Sequence, residues 1–214
     1  MSITSNRRER EKARRREDIL QAARQVFLDG SLFRATIEDV AAQAQVSKGT
    51  VYLYFESKET ILALLLLEGL DTLRARLEKA TAPRRILSAS RCLERLGNAY
   101  LHFCQEFPTH FRLMVAFDRG RFRESIPPDL YQRVFESSKC VLQLVAEAVQ
   151  QGIDDGEFKV VDAWHTTAVL WGALNGVLLL VDHPLRRELV GRPVKAMFQQ
   201  TLDILLDGIR NPET

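Results

Sequence analysis

The sequence predicts an all-α fold of about nine helices. Apolar residues recur at helical spacing along nearly the whole chain, cap-forming residues stand at the heads of those stripes, and no convincing β alternation, internal repeat or low-complexity tract interrupts them. With 214 residues, 46% of them hydrophobic and 27% charged, the chain has the composition of an ordinary globular protein with enough length for a substantial core.

Ile19, Ala22, Ala23, Val26 and Phe27 share one face of a first helix from about Arg10 to Asp29, and Gly30 follows where a C-terminal cap belongs. Thr36 opens a short second helix with Asp39 as its capping-box partner, and Ile37, Val40, Ala41 and Ala44 form the apolar face. Ser47 caps a short third helix after a break at Ala44, Gln45 and Val46. Ser57 caps a long fourth one, whose stripe of Leu62, Leu66, Leu70, Leu73 and Leu77 extends to about Lys79. Beyond Pro83, apolar residues mark a fifth helix through Phe107. Pro108 then stops it and permits a sixth through Phe117. The polar stretch DRGRFRESIPP reads as a loop. A helix from about Asp129 to Gln151, a turn at GIDDGEF, an apolar helix from about Asp162 to Val181, a break at DHPLRREL and a last helix from about Pro193 to Ile209 complete the chain.

The third helix needs justification, because VSKGTVYLYF (residues 46–55) also alternates as a strand does, with Val51, Leu53 and Phe55 against Tyr52 and Tyr54. A lone strand between helices has no partner and is not stable. Helix is therefore the expected state, at a cost of up to about 1 kcal/mol for Gly49 in its first turn. Such a local conflict is expected where residues serve function.

Net charge is only +2, with a pI near 8.5, but its distribution is uneven. Seven Arg/Lys against Glu9 and Glu11 give residues 7–16 a charge of +5, leaving −3 for the rest. This basic N-terminus lacks the apolar run a signal peptide requires, and the uncharged stretch His165–Val181 is short of the roughly 20 residues that span a bilayer. A cytoplasmic protein without a membrane role is expected. Cys92, Cys104 and Cys140 are odd in number and widely spaced, which suits buried thiols in a reducing compartment. His102, His110, His165 and His183 lack metal-ligand spacing, and neither a Gly-rich phosphate loop nor a nucleophile elbow accompanies them. No catalytic residue, metal or cofactor is expected.

Two short helices across a three-residue turn, the second rich in Lys, Thr and Tyr, suit a helix-turn-helix at about residues 36–55. Its words sharpen the reading: "AA..VF..G" in the first helix, "T..DVA..A" in the second, "VSKGTVY.YF" in the third and "SKE" opening the fourth, all within residues 19–62. This stretch closely resembles the DNA-binding domain of the TetR (tetracycline repressor) family of bacterial transcription regulators. The resemblance implies a homodimeric repressor that binds a palindromic double-stranded DNA operator and is released by a small-molecule effector. It further implies a basic arm over residues 1–13, a DNA-binding domain over 14–75 and a ligand-binding and dimerisation domain over 76–214. Carried over by position, Lys48, Gly49, Thr50 and Tyr52 face the major groove, while Thr36, Ser47, Tyr54 and Lys58 hold phosphates. Residue chemistry agrees: Gly49 permits close backbone approach, Lys48 reaches guanine acceptors or phosphate, and Thr50 meets a thymine methyl. Gln45 departs from the family, which usually has Gly in this turn; a positive φ there adds strain of order 1 kcal/mol.

A dimer is expected to use the last two helices. Ala168, Gly172 and Gly176 form a row of small residues, and Phe198, Leu202, Leu205 and Ile209 form a stripe. Phe103, Phe107, Phe111, Met114, Phe117 and Phe135, with Trp171 and Asn175, supply the lining expected of a small-molecule site, and their lack of acidic groups favours a neutral or lipophilic effector. The competing reading is a helical ligand-binding or protein-interaction module without DNA binding.

Overall fold

Side-chain caps set where the N-terminal helices begin. In the computed structural model, which describes residues 3–30, 32, 34–82, 87–118, 120, 122–182 and 184–212, ten α-helices are found. They are α1 (Ile3–Arg24), α2 (Ile37–Gln43), α3 (Lys48–Tyr52), α4 (Lys58–Ala80), α5 (Ala89–Glu106), α6 (Pro108–Asp118), α7 (Pro128–Asp154), α8 (Ala163–Asp182), α9 (Pro184–Val190) and α10 (Val194–Ile209). A π-helical turn, Gln25–Gly30, closes α1.

The expected break at DHPLRREL is itself a helix, α9, because proline at a first helical position removes only an amide that has no partner there. The first helix begins at Ile3 and not near Arg10, so the basic segment, residues 7–16, lies within α1 and is exposed. Residues 1 and 2, Pro83 and His183, all part of the sequence expectations, lie outside the described residues.

The chain divides into two compact units. The first comprises Met1–Leu70 and Phe107–Ser137, the second Asp71–Glu106 and Ser138–Thr214. This grouping places α6 with the N-terminal helices and so differs from a linear cut after residue 75. Within the first unit Ile19, Ala23, Phe27, Val40, Val51, Phe55, Ile61 and Leu65 are buried at 2% exposure or less. Arg24 on α1 donates to both carboxylate oxygens of Glu68 on α4 at 2.8 and 2.6 Å, and Glu68 holds its guanidinium more firmly protonated. Thr109 at the head of α6 donates to the carbonyl of Leu28 at 2.9 Å.

In the second unit Leu73, Leu77, Leu93, Leu96, Leu101, Phe103, Val149 and Leu170 are buried. Glu157, in the turn after α7, accepts from the first amides of α5, Ala89 N at 2.8 Å and Ser90 N at 3.0 Å, and the N-cap Ser88 Oγ accepts from Arg91 N at 3.3 Å. Gly97 lets α10 approach α5: a Cβ there would stand 2.8 Å from a Leu202 methyl.

Candidate nucleic-acid interface

The helix-turn-helix is assembled from local hydrogen bonds. Thr36 and Asp39 form a reciprocal capping box on α2, with Asp39 N to Thr36 Oγ1 at 3.3 Å and Thr36 N to Asp39 Oδ2 at 2.8 Å. Bonding to Thr36 also lowers the Asp39 pKa. At the other end Val46 N donates to Ala41 O at 2.9 Å and Gln45 N to Ala42 O at 3.1 Å, the paired bonds of a Schellman motif. Gln45 occupies its left-handed position with φ +54°, so the strain expected from the sequence is present. Ser47 then caps α3: its Oγ accepts from Thr50 N at 3.0 Å and lies 2.8 Å from Thr50 Oγ1.

α3 is anchored through Val51 (0% exposed) and Phe55 (2%), as its helical register requires, and Arg16 of α1 lies 4.9 Å over the Phe55 ring. The opposite face is open. Lys48 and Gly49 are exposed, Tyr52 is 46% exposed, and Thr50 and Tyr54 are half-buried. A Cβ at Gly49 would meet only Ser47 Oγ, at 3.7 Å. Nothing inside the chain therefore requires glycine in this helical turn, although it weakens the helix.

Lys48 pairs with Glu38 of α2 and stands 5.9 Å from the Tyr52 ring centre. The pair raises the Lys48 pKa and lowers that of Glu38, so both are charged at neutral pH. Sequence reasoning missed Glu38, whose signal was an exposed carboxylate on the helix facing Lys48 across the turn. It also missed Leu53, 79% exposed. Leu53 falls between the inward positions Val51 and Phe55 in helical register, which turns it outward.

Lys58 is differently placed from Lys48. Its ammonium donates to Ala35 O at 2.5 Å and lies 5.3 Å over the Phe27 ring, and burial lowers its pKa. It ties the start of α4 to the segment before α2, so its first role is internal, unlike the phosphate contact expected from the sequence.

The residues expected to line a ligand site fall in both units. Phe107, Phe111, Met114, Phe117 and Phe135 belong to the first; Phe103, Trp171 and Asn175 belong to the second. Phe103 is wholly buried in packing, whereas Phe135 is 50% exposed. Phe107 meets His110 edge-on at 5.8 Å, and Phe117 stacks on Phe122 and Tyr131 at 5.9 and 5.3 Å. In the second unit Asn175 Oδ1 accepts from the Tyr100 hydroxyl at 2.6 Å, and burial pushes the nearby Cys104 thiol up to about 12.

Of the residues expected at a dimer face, Phe198 and Leu202 are buried inside the protomer at 0% and 2% exposure and cannot face a second copy. They point at α5, because the apolar stripe of α10 is the face that completes its own unit. Ala168 and Gly172 are exposed, and Gly176 and Leu205 are half-buried.

A capped helix-turn-helix with an internally anchored second helix and an open Lys, Gly, Thr and Tyr face defines a DNA-binding regulator. Residues 19–65 match the model of bacterial regulatory proteins of the tetR family, and residues 93–205 match the tetracyclin repressor-like C-terminal domain. The chain belongs to the tetR family. It is similar to the HTH-type transcriptional repressor KstR2 of Mycolicibacterium smegmatis, with 27% identity over 69% of this chain and 69% of that one. It is also similar to the fatty acid metabolism regulator protein of Bacillus subtilis, with 28% identity over 90% of this chain and 94% of that one. Its fold matches the crystal structure of the transcriptional regulator FadR from Bacillus subtilis in complex with stearoyl-CoA, with a TM-score of 0.67 and 22% identity over 91% of this chain and 99% of that one.

Proposed function

We propose that this transcriptional regulator acts as a repressor, binding a palindromic operator as a homodimer through α3 and releasing it when a small molecule binds the helical domain. The open face around Gly49 carries the reading: a glycine that no internal contact requires gives an outside partner close access to the helix backbone. Lys48, Thr50 and Tyr52 read base edges. Thr36, Ser47 and Tyr54 flank them toward phosphate, and the exposed basic front of α1 adds electrostatic affinity. Because Glu38 holds Lys48, DNA must compete for that ammonium, which favours sites offering it a good acceptor.

The chemistry of the effector is suggested by the relatives. A fatty acid metabolism regulator and a structure holding stearoyl-CoA both support a lipophilic acyl chain as part of the ligand. An effector that prefers the non-binding arrangement by about 1–3 kcal/mol lowers operator affinity about 5- to 150-fold.

The test starts from DNA selected by the protein out of genomic fragments. Lys48→Ala and Tyr52→Ala are each expected to weaken binding to the selected operator by about 1–3 kcal/mol, about 5- to 150-fold, with unchanged thermal unfolding. Log affinity should fall linearly with log salt. Unchanged gel-shift affinity in both variants removes α3 as the reading helix.

A further inference from the structure

We propose that the groove between the last turn of α4 and one face of α5 binds the phosphate groups of a small phosphorylated molecule. This deepens, and rests on, the reading of the helical domain as effector-binding. The concavity measures about 500 Å³ and is lined by Arg76, Lys79, Arg91, Arg95, Asn98 and His102, with Ala80, Ala82 and Ala99 keeping it open. Arg91, Arg95, Asn98 and His102 follow one another at helical spacing, so α5 presents a continuous polar face there, while its buried residues Cys92, Leu93 and Leu96 turn inward.

Among the described residues the lining contains four cations and no carboxylate. Two of the guanidinium groups are braced from outside it. Arg76 is held by both oxygens of Glu106 at 2.6 and 2.8 Å, and Arg91 by Glu94 at 2.6 Å. Arg95 donates to the backbone carbonyl of Ala80 at 3.4 Å, and Lys79 has no ion-pair partner among the described residues. Among the described residues the Lys79 and Arg95 charges are thus uncompensated, while Arg76 and Arg91 are held in place with part of their donor capacity taken by carboxylates and further N–H groups to offer an oxyanion.

A volume in the range of about 300–1,000 Å³ suits a small molecule. A local concavity of this size, as opposed to a continuous basic stripe, suits a compact anion better than an extended nucleic-acid backbone. The ligand class is therefore a phosphate or diphosphate ester, and a nucleotide-bearing thioester would offer such groups together with a lipophilic tail. An anion in the groove links the end of α4, a helix that starts shortly after the reading helix, to α5.

Calorimetric titration of the full chain at about 50 mM salt, with inorganic pyrophosphate and with coenzyme A as separate probes, tests this. Both are expected to bind saturably and to weaken as salt rises. Arg91→Ala with Arg95→Ala should weaken both by about tenfold or more, while Arg91→Lys with Arg95→Lys, which keeps the charge and loses the forks, should fall between. Arg133→Ala with Lys139→Ala removes equal charge on α7 and should leave binding unchanged. Absence of saturable pyrophosphate binding, binding of coenzyme A alone, or equal losses in the α5 and α7 alanine variants would overturn the proposal. Loss of operator affinity in the anion-free α5 alanine variant would assign the groove to DNA and also overturn it. Failure of the wild-type chain to bind any operator would sink the regulator reading while leaving the pyrophosphate result to stand by itself.

Discussion

Gln45 shows how far a single residue can be read. Its position in the turn and the absence of the family's glycine were legible in the sequence, and its φ of +54° within paired Schellman bonds gives that departure a physical form. A left-handed conformation costs a non-glycine residue about 1–2 kcal/mol, while glycine costs about 0.5–1 kcal/mol in unfolded-chain entropy. Relief of strain outweighs the entropy, so Gln45→Gly should stabilise the chain by about 0.5–1 kcal/mol in urea unfolding. Gln45→Ala keeps the strain and should be close to neutral. Equal stabilisation by both variants would show that the effect lies in the Gln side chain and not in φ. Lys58 marks the limit of positional transfer: one residue type at one motif position can contact either phosphate or a carbonyl of its own chain, and only the fold reveals Ala35 O within reach.

Among the elements, capped helices were the most legible, because Thr36, Ser47 and Ser57 declare their starts through short-range bonds. The leucine stripe of α4 was equally clear, and all five of its residues are buried at 2% exposure or less. What periodicity could not show is which neighbour each stripe meets. Gly69, unremarked in the sequence, is where α6 seats itself on α4: a Cβ there would lie 2.5 Å from His110 Cδ2 and 3.1 Å from Cγ. The ring cannot move without disturbing its edge contact with Phe107. Gly69→Ala gains up to about 1 kcal/mol in helix propensity but meets an overpacking cost of about 1–3 kcal/mol, so net destabilisation is expected. In a His110→Ala background only the propensity gain remains, and the same substitution should stabilise; destabilisation in both backgrounds would refute the notch. Burial lowers the His110 pKa from its ordinary 6.5, so the folded state disfavours its protonation. Its contribution is therefore fully present above about pH 6.5 and declines as the pH falls below that, a loss that His110→Ala should abolish in unfolding measured across this range.

At the scale of the whole molecule, the small-residue row on α8 becomes a question of what covers it. The window Ala163–Leu180 is, by length and composition, apolar and long enough to cross a bilayer, which corrects the expectation that this stretch is too short, and only 28% of it is buried in the protomer. A Cβ at Gly172, Gly176 or Gly208 would meet nothing within 4 Å, and Trp164, Val169, Leu180 and Ile204 are exposed large apolar residues on α8 and α10. The open apolar surface lies on α8 and α10, the helices expected to form a dimer face, but Phe198 and Leu202 of the expected α10 stripe face inward, since a stripe reports burial without saying whether its own unit or a second copy supplies it. In the proposed homodimer, a second copy pairing α8 and α10 with their symmetry mates would cover these residues and bring two reading helices to one palindromic operator. In a two-fold interface one substitution enters twice, so Val169→Glu with Ile204→Glu buries unpaired charge from both protomers at a cost far above that of a surface change. Sedimentation at micromolar concentration should give the wild type twice the chain mass of 24.4 kDa and the double variant the single mass. The variant should keep its helical circular dichroism and lose operator affinity on the order of a hundredfold, because each half-site is then bound alone. A monomeric wild type, a dimeric variant, or a wild-type chain that partitions into lipid vesicles would each overturn this arrangement.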